Sequence, residues 1–188
     1  SELETNDFYW KSLGKQCRYD HPEVVFIKRI LDHGLPKLLR NLITDSLFKK
    51  YVTNDEVAFS QELYMSVDQV SHLQRNAMYI GSHGFQHCWL NELSENDQKQ
   101  EIDLSLQFMS RIGSDTERWI MCYPFGEYSD SLINLLKDRG CVVGLTTNVG
   151  IADLKQDNIF KLPRLDTNDL PKDSNASPNE WTVKAMSD

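Results

Sequence analysis

The chain has 188 residues, of which 40% are hydrophobic and 26% charged, and its formal net charge is −8. This length is typical of about one domain with a buried core, and the composition is typical of a globular protein. The acidic balance disfavours non-specific binding to nucleic acid, because phosphates require a basic face. A neutral ligand such as a sugar fits this charge better.

The sequence shows no sign of a membrane span, a secretory signal or a paired-cysteine motif. No apolar run approaches the roughly 18 residues of a membrane span, and no secretory signal is evident, so we expect a cytoplasmic protein without a membrane span. The four cysteines are scattered, with no Cys-x-x-Cys pair, and are expected to be reduced: Cys17, Cys88, Cys122 and Cys141.

Residues 1–76 carry helical signals and no evident strand. A polar start without clear periodicity is followed by apolar residues at helical spacing after Pro22 and after Pro36. Two pairs have the spacing of N-terminal capping boxes: Thr53 with Glu56, and Ser66 with Gln69. The sequence therefore predicts four helices between residue 22 and residue 76.

After residue 76 the pattern alternates between strands and helices. The predicted elements are a strand at 77–80, a helix capped by Ser94 and closed by Gly113, a strand at 119–123, a helix at 132–137 and a strand at 141–146. This alternation predicts parallel strands joined by right-handed crossovers, so the carboxyl ends of the strands share one rim. Residues that follow different strands should therefore converge there.

Two histidines, His83 and His87, follow the first predicted strand. If the segment makes a helical turn, residues four apart face the same way and both imidazoles can reach one metal ion. For an isolated His-x-x-x-His match, two ordinary histidines are the better interpretation. The turn Pro124–Gly126, which follows the second predicted strand, favours the metal interpretation because both features would lie on the same rim.

Several segments, in order, resemble the polysaccharide deacetylases with the NodB-type fold. They are Ile80–His83 with His87, Tyr123–Tyr128, Gly144–Thr147 and Leu162–Asp166. The resemblance covers residues 65–171 and implies a partial distorted (β/α) barrel. In this arrangement residues 1–76 are a helical insertion, residues 77–171 the barrel portion and residues 172–188 a C-terminal tail.

The resemblance also implies a reaction. Family members hold a divalent metal, usually zinc, with two histidines and an aspartate, and a second aspartate acts as base while water removes an acetyl group from a sugar. His83 and His87 match the histidine ligands, and the backbone N–H of Phe125 matches the donor that holds the oxyanion. The expected partner is an acetylated polysaccharide or glycan precursor.

Further site residues are expected on the same basis. The residues expected to contact the substrate are Pro124, Phe125, Gly126, Tyr128 and Trp89. Arg164 and Asp166 follow the last predicted segment and could orient groups of the site, although an ordinary surface ion pair explains them at least as well.

The chain departs from the family at three positions. It contains no adjacent pair of aspartates, which in the family supplies the base and a metal ligand. Cys122 and Tyr123 stand where many members have an arginine before the proline. Leu162-Pro163-Arg164 replaces the Leu-x-His motif, which leaves the general acid unassigned.

Three interpretations account for the missing aspartates or for the helical segment. The chain is the C-terminal part of a longer enzyme whose first strands carry the aspartates, and by itself it is inactive. Alternatively, it is a non-catalytic relative that binds carbohydrate or a partner. A third interpretation treats residues 22–76 as an interaction module through which the protein forms a homodimer.

Overall fold

The computed structural model describes residues 3–17 and 20–186. The chain divides into two compact units, Ser1–Met65 and Ser66–Asp188. The division falls after Met65, whereas the predicted helical segment extends to residue 76. None of the helices within residues 3–17 and 20–186 has the length and apolar character needed to cross a membrane.

The first unit is helical in its described residues. Its elements are α1 (Asn6–Leu13), α2 (Pro22–Arg29), a π-helical turn (Ile30–Gly34), α3 (Lys37–Tyr51) and α4 (Glu56–Leu63). The predicted helices after Pro22 and Pro36 are confirmed. Helix α1 was not predicted, although Thr5 gives a cap signal, since its side chain accepts a hydrogen bond from the Phe8 N–H.

The two predicted capping boxes have different outcomes. Asp55, not Thr53, caps α4, because the Asp55 side chain accepts from the Ala58 N–H while the Thr53 hydroxyl accepts from the Asp55 N–H. The prediction for Thr53 is therefore wrong. The box of Ser66 with Gln69 is confirmed, and both of its hydrogen bonds are present at the start of α5 (Val67–Arg75).

The second unit contains a small parallel sheet. After α5 its elements are α6 (Glu95–Arg111), β1 (Trp119–Cys122), α7 (Asp130–Asp138), β2 (Cys141–Val149), β3 (Leu162–Arg164) and α8 (Glu180–Ala185). The strand order is β1-β2-β3, and both pairings are parallel, as predicted from the alternation of strands and helices. The described residues thus form a three-stranded sheet, and they do not close a barrel.

The predicted strand at 77–80 is wrong. Ala77 has a positive φ of 62°, and Met78 and Tyr79 are 56% and 55% exposed, so the apolar run is not buried as a strand. Pairing with β1 begins only at Ser82, whose N–H donates to Ile120 O at 2.9 Å and whose carbonyl accepts from the Cys122 N–H at 2.9 Å. The N–H of the same residue, Ile120, donates to the Tyr79 hydroxyl at 2.7 Å. A side chain therefore occupies a position that a ladder partner would otherwise take.

The core of the second unit lies between the sheet and helices α6 and α7. Trp119 and Met121 of β1, with Tyr123 directly after the strand, are fully buried in one cluster with Ile102 of α6 and Leu136 of α7. The buried polar atoms of the aromatic residues are satisfied: Trp119 Nε1 donates to Arg139 O at 2.8 Å, and the Tyr123 hydroxyl donates to Phe160 O at 2.9 Å. This packing fixes the carboxyl end of β1, where the predicted site lies.

We expect the ion pair between Asp103 of α6 and Arg139 after α7 to make a small, pH-dependent contribution to stability. Arg139 Nε donates to Asp103 Oδ1 at 2.5 Å, and this hydrogen bond lowers the pKa of Asp103. A lowered folded-state pKa stabilises the protein above the unfolded pKa of about 3.9, and this stabilisation is lost as the pH falls through the folded value. The Asp103 side chain is 48% exposed, so Asp103→Asn should cost less than about 1 kcal/mol.

Denaturant titrations of the wild type and of Asp103→Asn, made between pH 7 and pH 3, measure this contribution. The difference between the two proteins should be present at pH 7 and become smaller as the pH falls below the unfolded pKa of about 3.9. A destabilisation of equal size across this range would show that lost packing, rather than the ion pair, causes the effect.

Candidate active site

Two segments meet at the carboxyl end of β1: the histidine loop, residues 83–87, and the Pro-Phe-Gly turn, Pro124–Gly126. His83 Nδ1 lies 2.7 Å from Cys122 O, at the last residue of β1. A carbonyl oxygen only accepts hydrogen bonds, so Nδ1 carries the proton and, in the neutral ring, Nε2 carries the lone pair. This hydrogen bond fixes the tautomer and leaves His83 Nε2 available as a nitrogen that could bind a metal.

The two imidazoles lie together, but not by the predicted geometry. The ring centroids of His83 and His87 are 4.7 Å apart and the ring planes are inclined by 64°. The helical turn that this geometry required is not formed, because the loop is not helical and has positive φ at Gly84 (75°) and at His87 (53°). A left-handed conformation at a residue other than glycine is uncommon and persists where surrounding contacts impose it.

Aromatic rings continue from the histidines to Trp89. The His87 and Phe125 centroids are 4.8 Å apart, and Trp89 is stacked on Phe125 at 4.4 Å with 7° between the ring planes. Phe125 and Trp89 are both half-buried. The Pro-Phe-Gly turn therefore contacts both the histidine loop and the segment that follows it.

The Pro-Phe-Gly turn has a strained backbone conformation. Phe125 has φ 59° and ψ 1°, and Gly126 has φ 80°. The turn is closed by the N–H of Gly126 donating to Tyr123 O at 2.9 Å and by the N–H of Glu127 donating to Pro124 O at 3.3 Å. These turn hydrogen bonds do not use the Phe125 N–H, the group that the resemblance assigns to the oxyanion.

The remaining predicted residues have the following positions. Tyr128 is half-buried, 5.2 Å from the Tyr123 ring, with Lys161 Nζ 5.1 Å from its centroid. Arg164 Nε donates to Thr146 O at 2.8 Å, and its Nη1 lies 3.9 Å from Cys122 Sγ, so Arg164 borders the residue that holds His83.

Asp166 takes part in a local turn. It caps the 3-10 turn Thr167–Asp169, where its Oδ1 accepts hydrogen bonds from the backbone N–H of Asn168 at 2.8 Å and from Asn168 Nδ2 at 2.7 Å. The turn and its cap give the Asp166 carboxylate a structural role.

Sequence reasoning missed Glu101 and the pair of Ser82 with Ser105. Glu101 is 6% exposed, and its Oε2 accepts hydrogen bonds from the N–H groups of Phe85 and Gln86. Ser82 Oγ lies 2.7 Å from Ser105 Oγ. The available signal was the position of Glu101 and Ser105 among the buried residues of α6, where polar side chains require partners.

The donor set fits a divalent transition metal in part. Imidazole nitrogen suits zinc, and a histidine whose other nitrogen donates to a backbone carbonyl is typical of metal ligands. Within residues 3–17 and 20–186, however, no group of three or more His, Cys, Asp or Glu side chains could hold an ion. The described residues therefore offer two imidazole nitrogens that could bind a metal, and a complete site would require a third ligand.

The fold has a similar counterpart among solved structures. The fold is similar to that of the Streptococcus pyogenes deacetylase PplD in complex with acetate, with a TM-score of 0.51 and 20% sequence identity over 68% of this chain and 60% of PplD. The chain therefore spans less than two thirds of that structure. The comparison with curated proteins gave no match.

The sequence pattern of the polysaccharide deacetylase family matches residues 43–144, which is more than half of the 188 residues. This range includes the whole histidine loop, the Pro-Phe-Gly turn and the start of β2. The chain belongs to the polysaccharide deacetylase family.

Proposed function

We propose that this chain contributes to a metal-dependent hydrolase that removes acetyl groups from a polysaccharide or amino-sugar substrate. The observation that carries the proposal is the pair of His83 and His87, whose centroids are 4.7 Å apart beside the Pro-Phe-Gly turn in a chain of this family. The structure of PplD, a deacetylase in complex with acetate, supports the same class of reaction.

His83 and His87 would hold the divalent ion, for which zinc is the expected identity. A bound divalent metal supplies Lewis-acid chemistry that polarises a carbonyl oxygen. The hydrogen bond from His83 Nδ1 to Cys122 O keeps the lone pair on Nε2 and fixes the plane of the ring. Arg164, 3.9 Å from Cys122 Sγ, would orient this region from β3, close to the residue where many family members carry an arginine.

Phe125 would contribute its backbone N–H to the oxyanion that develops on the acetyl carbonyl. A fixed donor in a partly buried site stabilises such a charge more than water does, because it needs no reorganisation during the reaction. Pro124 restricts the turn, and Gly126 allows the φ of 80°. The rings of Trp89 and Phe125, with Tyr128 nearby in the chain, would offer apolar contacts to the sugar.

The base and the third ligand are proposed to be carboxylates from outside the described residues. Asp166 is occupied as a turn cap with Asn168, so we assign it at most an orienting role. If it were the base, metal-dependent turnover by the 188-residue chain would be lost in Asp166→Asn.

We expect the chain to bind zinc weakly through the histidine pair. Two neutral imidazoles lack the anionic ligand of a tight site, so affinity should be low and should fall by about tenfold or more in His83→Ala. Titration calorimetry measures this, and His72→Ala is the matched control, because His72 is exposed on α5 and hydrogen bonds to Asn76. Equal zinc affinity of the wild type and His83→Ala would exclude His83 from the metal site.

A carbohydrate-binding module derived from a deacetylase is the second candidate function, favoured by the missing third ligand. The two candidates differ in outcome on an acetylated amino-sugar oligomer. An enzyme releases acetate in a metal-dependent reaction once the missing carboxylates are supplied. A binding module retains the oligomer and releases no acetate under the same conditions.

A further inference from the structure

The histidine loop contains a concave row of backbone N–H groups that is occupied by a carboxylate of the chain itself. The Gly84 N–H lies 3.3 Å from Ser82 Oγ, and the next two N–H groups, of Phe85 and Gln86, both donate to Glu101 Oε2 at 3.0 and 2.9 Å. Successive N–H groups around a left-handed residue commonly form such an anion-binding concavity. Gly84, with φ 75°, supplies that conformation.

Glu101 reaches the loop from the buried face of α6. Glu101 is 6% exposed and lies on the same helix as Ser105, whose Oγ is 2.7 Å from Ser82 Oγ. Helix α6 therefore contacts this segment at two points. Ser105 contacts Ser82, immediately before His83, and Glu101 accepts from Phe85 and Gln86, immediately before His87. The second point fixes the backbone that enters the left-handed conformation of His87.

We propose that Glu101 is a positioning residue, whose acceptor oxygen sets the backbone of the histidine loop so that the rings of His83 and His87 meet. Without an acceptor at this place, the N–H groups of Phe85 and Gln86 would lose their buried partner, and the loop would turn them towards water. His87 would then be free to leave its left-handed conformation and its contact with His83. The effect of Glu101 on zinc affinity rests on the proposed function, whereas its effect on the loop backbone does not.

The test compares two substitutions of nearly equal length at position 101. Glu101→Gln keeps an oxygen that can accept both N–H groups, whereas Glu101→Met fills the same space with a sulfur that is only a weak acceptor. Glu95→Gln is the control, because Glu95 is exposed at the start of the same helix and its change removes the same charge. Amide hydrogen exchange and ring-to-ring nuclear Overhauser effects are recorded in the metal-free proteins.

In Glu101→Met we expect the Phe85 and Gln86 amides to exchange at least about tenfold faster and the His83–His87 ring contact to disappear, while amides in the centre of α6 are unchanged. Glu101→Gln should restore both signals, and Glu95→Gln should leave them unchanged. Zinc affinity, measured by calorimetry, should fall about 10- to 100-fold in Glu101→Met, as for other residues that orient metal ligands.

Two results would overturn the proposal. Wild-type exchange and ring contact in Glu101→Met would show that the loop does not need the acceptor. Equal losses in Glu101→Gln and Glu101→Met would show that the acceptor oxygen is not what holds it. If the wild type binds no zinc, the proposed metal function fails, but the exchange and ring measurements still decide the role of Glu101.

Discussion

Acetate release from an acetylated amino-sugar oligomer is expected to fall by about 1000-fold or more when His83 or His87 is replaced by alanine. Loss of a metal ligand removes several kcal/mol of charge stabilisation in the transition state, and each 1.36 kcal/mol corresponds to a factor of ten. The rings of the two histidines lie 4.7 Å apart, so each should be equally indispensable to a shared ion. The effects of the two substitutions should not add in the double variant, because either one already disables the site.

The comparison requires a protein with turnover. The 188-residue chain by itself is expected to release no acetate, because its described residues offer two ligands and no group of three. The same chain preceded by a strand that ends in two adjacent aspartates should release acetate in a metal-dependent reaction. In this extended protein, His72→Ala is the control and should keep full activity, since His72 lies on α5 away from the pair in sequence.

Two outcomes would contradict this scheme in different ways. Turnover by the short chain that disappears in Asp166→Asn would show that the base lies within the chain. Turnover by the extended protein that survives both histidine substitutions would remove the pair from catalysis. Retention of the oligomer without acetate release in either protein would favour the binding module.

Much of the second unit could be predicted because local signals there agree with the fold. Ser94 caps α6 and Gly113, with φ 79°, follows its end, as the sequence indicated. The strand at 119–122 is an apolar run two residues before Pro124, and the strand at 141–149 begins with an apolar run directly after Gly140. The intervening helix makes their parallel pairing the expected one. In these segments, many of the apolar residues that define the sequence pattern are the ones buried in the structure.

The segment before the histidines could not be predicted, because tertiary contacts decide its conformation. Residues 77–80 are apolar, but Met78 and Tyr79 are exposed and only Ser82 pairs with β1. Periodicity records which residues are apolar and does not record whether a neighbouring strand is available to bury them. The wrong choice of Thr53 instead of Asp55 as the cap of α4 has a local origin, since the side chains of both residue types can cap a helix.

The conformation of the histidine loop also could not be predicted from the sequence. The loop is held by hydrogen bonds from the N–H groups of Phe85 and Gln86 to Glu101, and backbone donors leave no trace in residue type. From the sequence, the two histidines could face the same way only if the segment made a helical turn, whereas the structure brings them together through left-handed residues. The two histidines could be identified from the sequence, but the hydrogen bonds that position their loop could not.

Replacing Gly126 with alanine is expected to destabilise the second unit by about 2–5 kcal/mol and to displace the Pro-Phe-Gly turn. A Cβ atom at Gly126 would lie 2.0 Å from Thr147 Oγ1 and 2.8 Å from Thr147 Cβ, at a φ of 80°. The left-handed conformation costs an alanine roughly 1–2 kcal/mol, and overpacking typically costs about 1–3 kcal/mol. Because the clash is with β2, either the strand end or the turn that carries the Phe125 N–H must move.

A double-variant cycle separates the two costs. Thr147→Gly removes the three atoms nearest to the new Cβ, so in this background Gly126→Ala should cost only the roughly 1–2 kcal/mol of its conformation. The coupling between the two positions should therefore be about 1–3 kcal/mol, measured by denaturant unfolding of the four proteins at unchanged m-value. Thr147 is exposed, so Thr147→Gly alone should cost less than about 1 kcal/mol as glycine in a strand. Additive costs would mean that Gly126 is required only for its φ and that the close approach of the turn to β2 does not constrain Phe125.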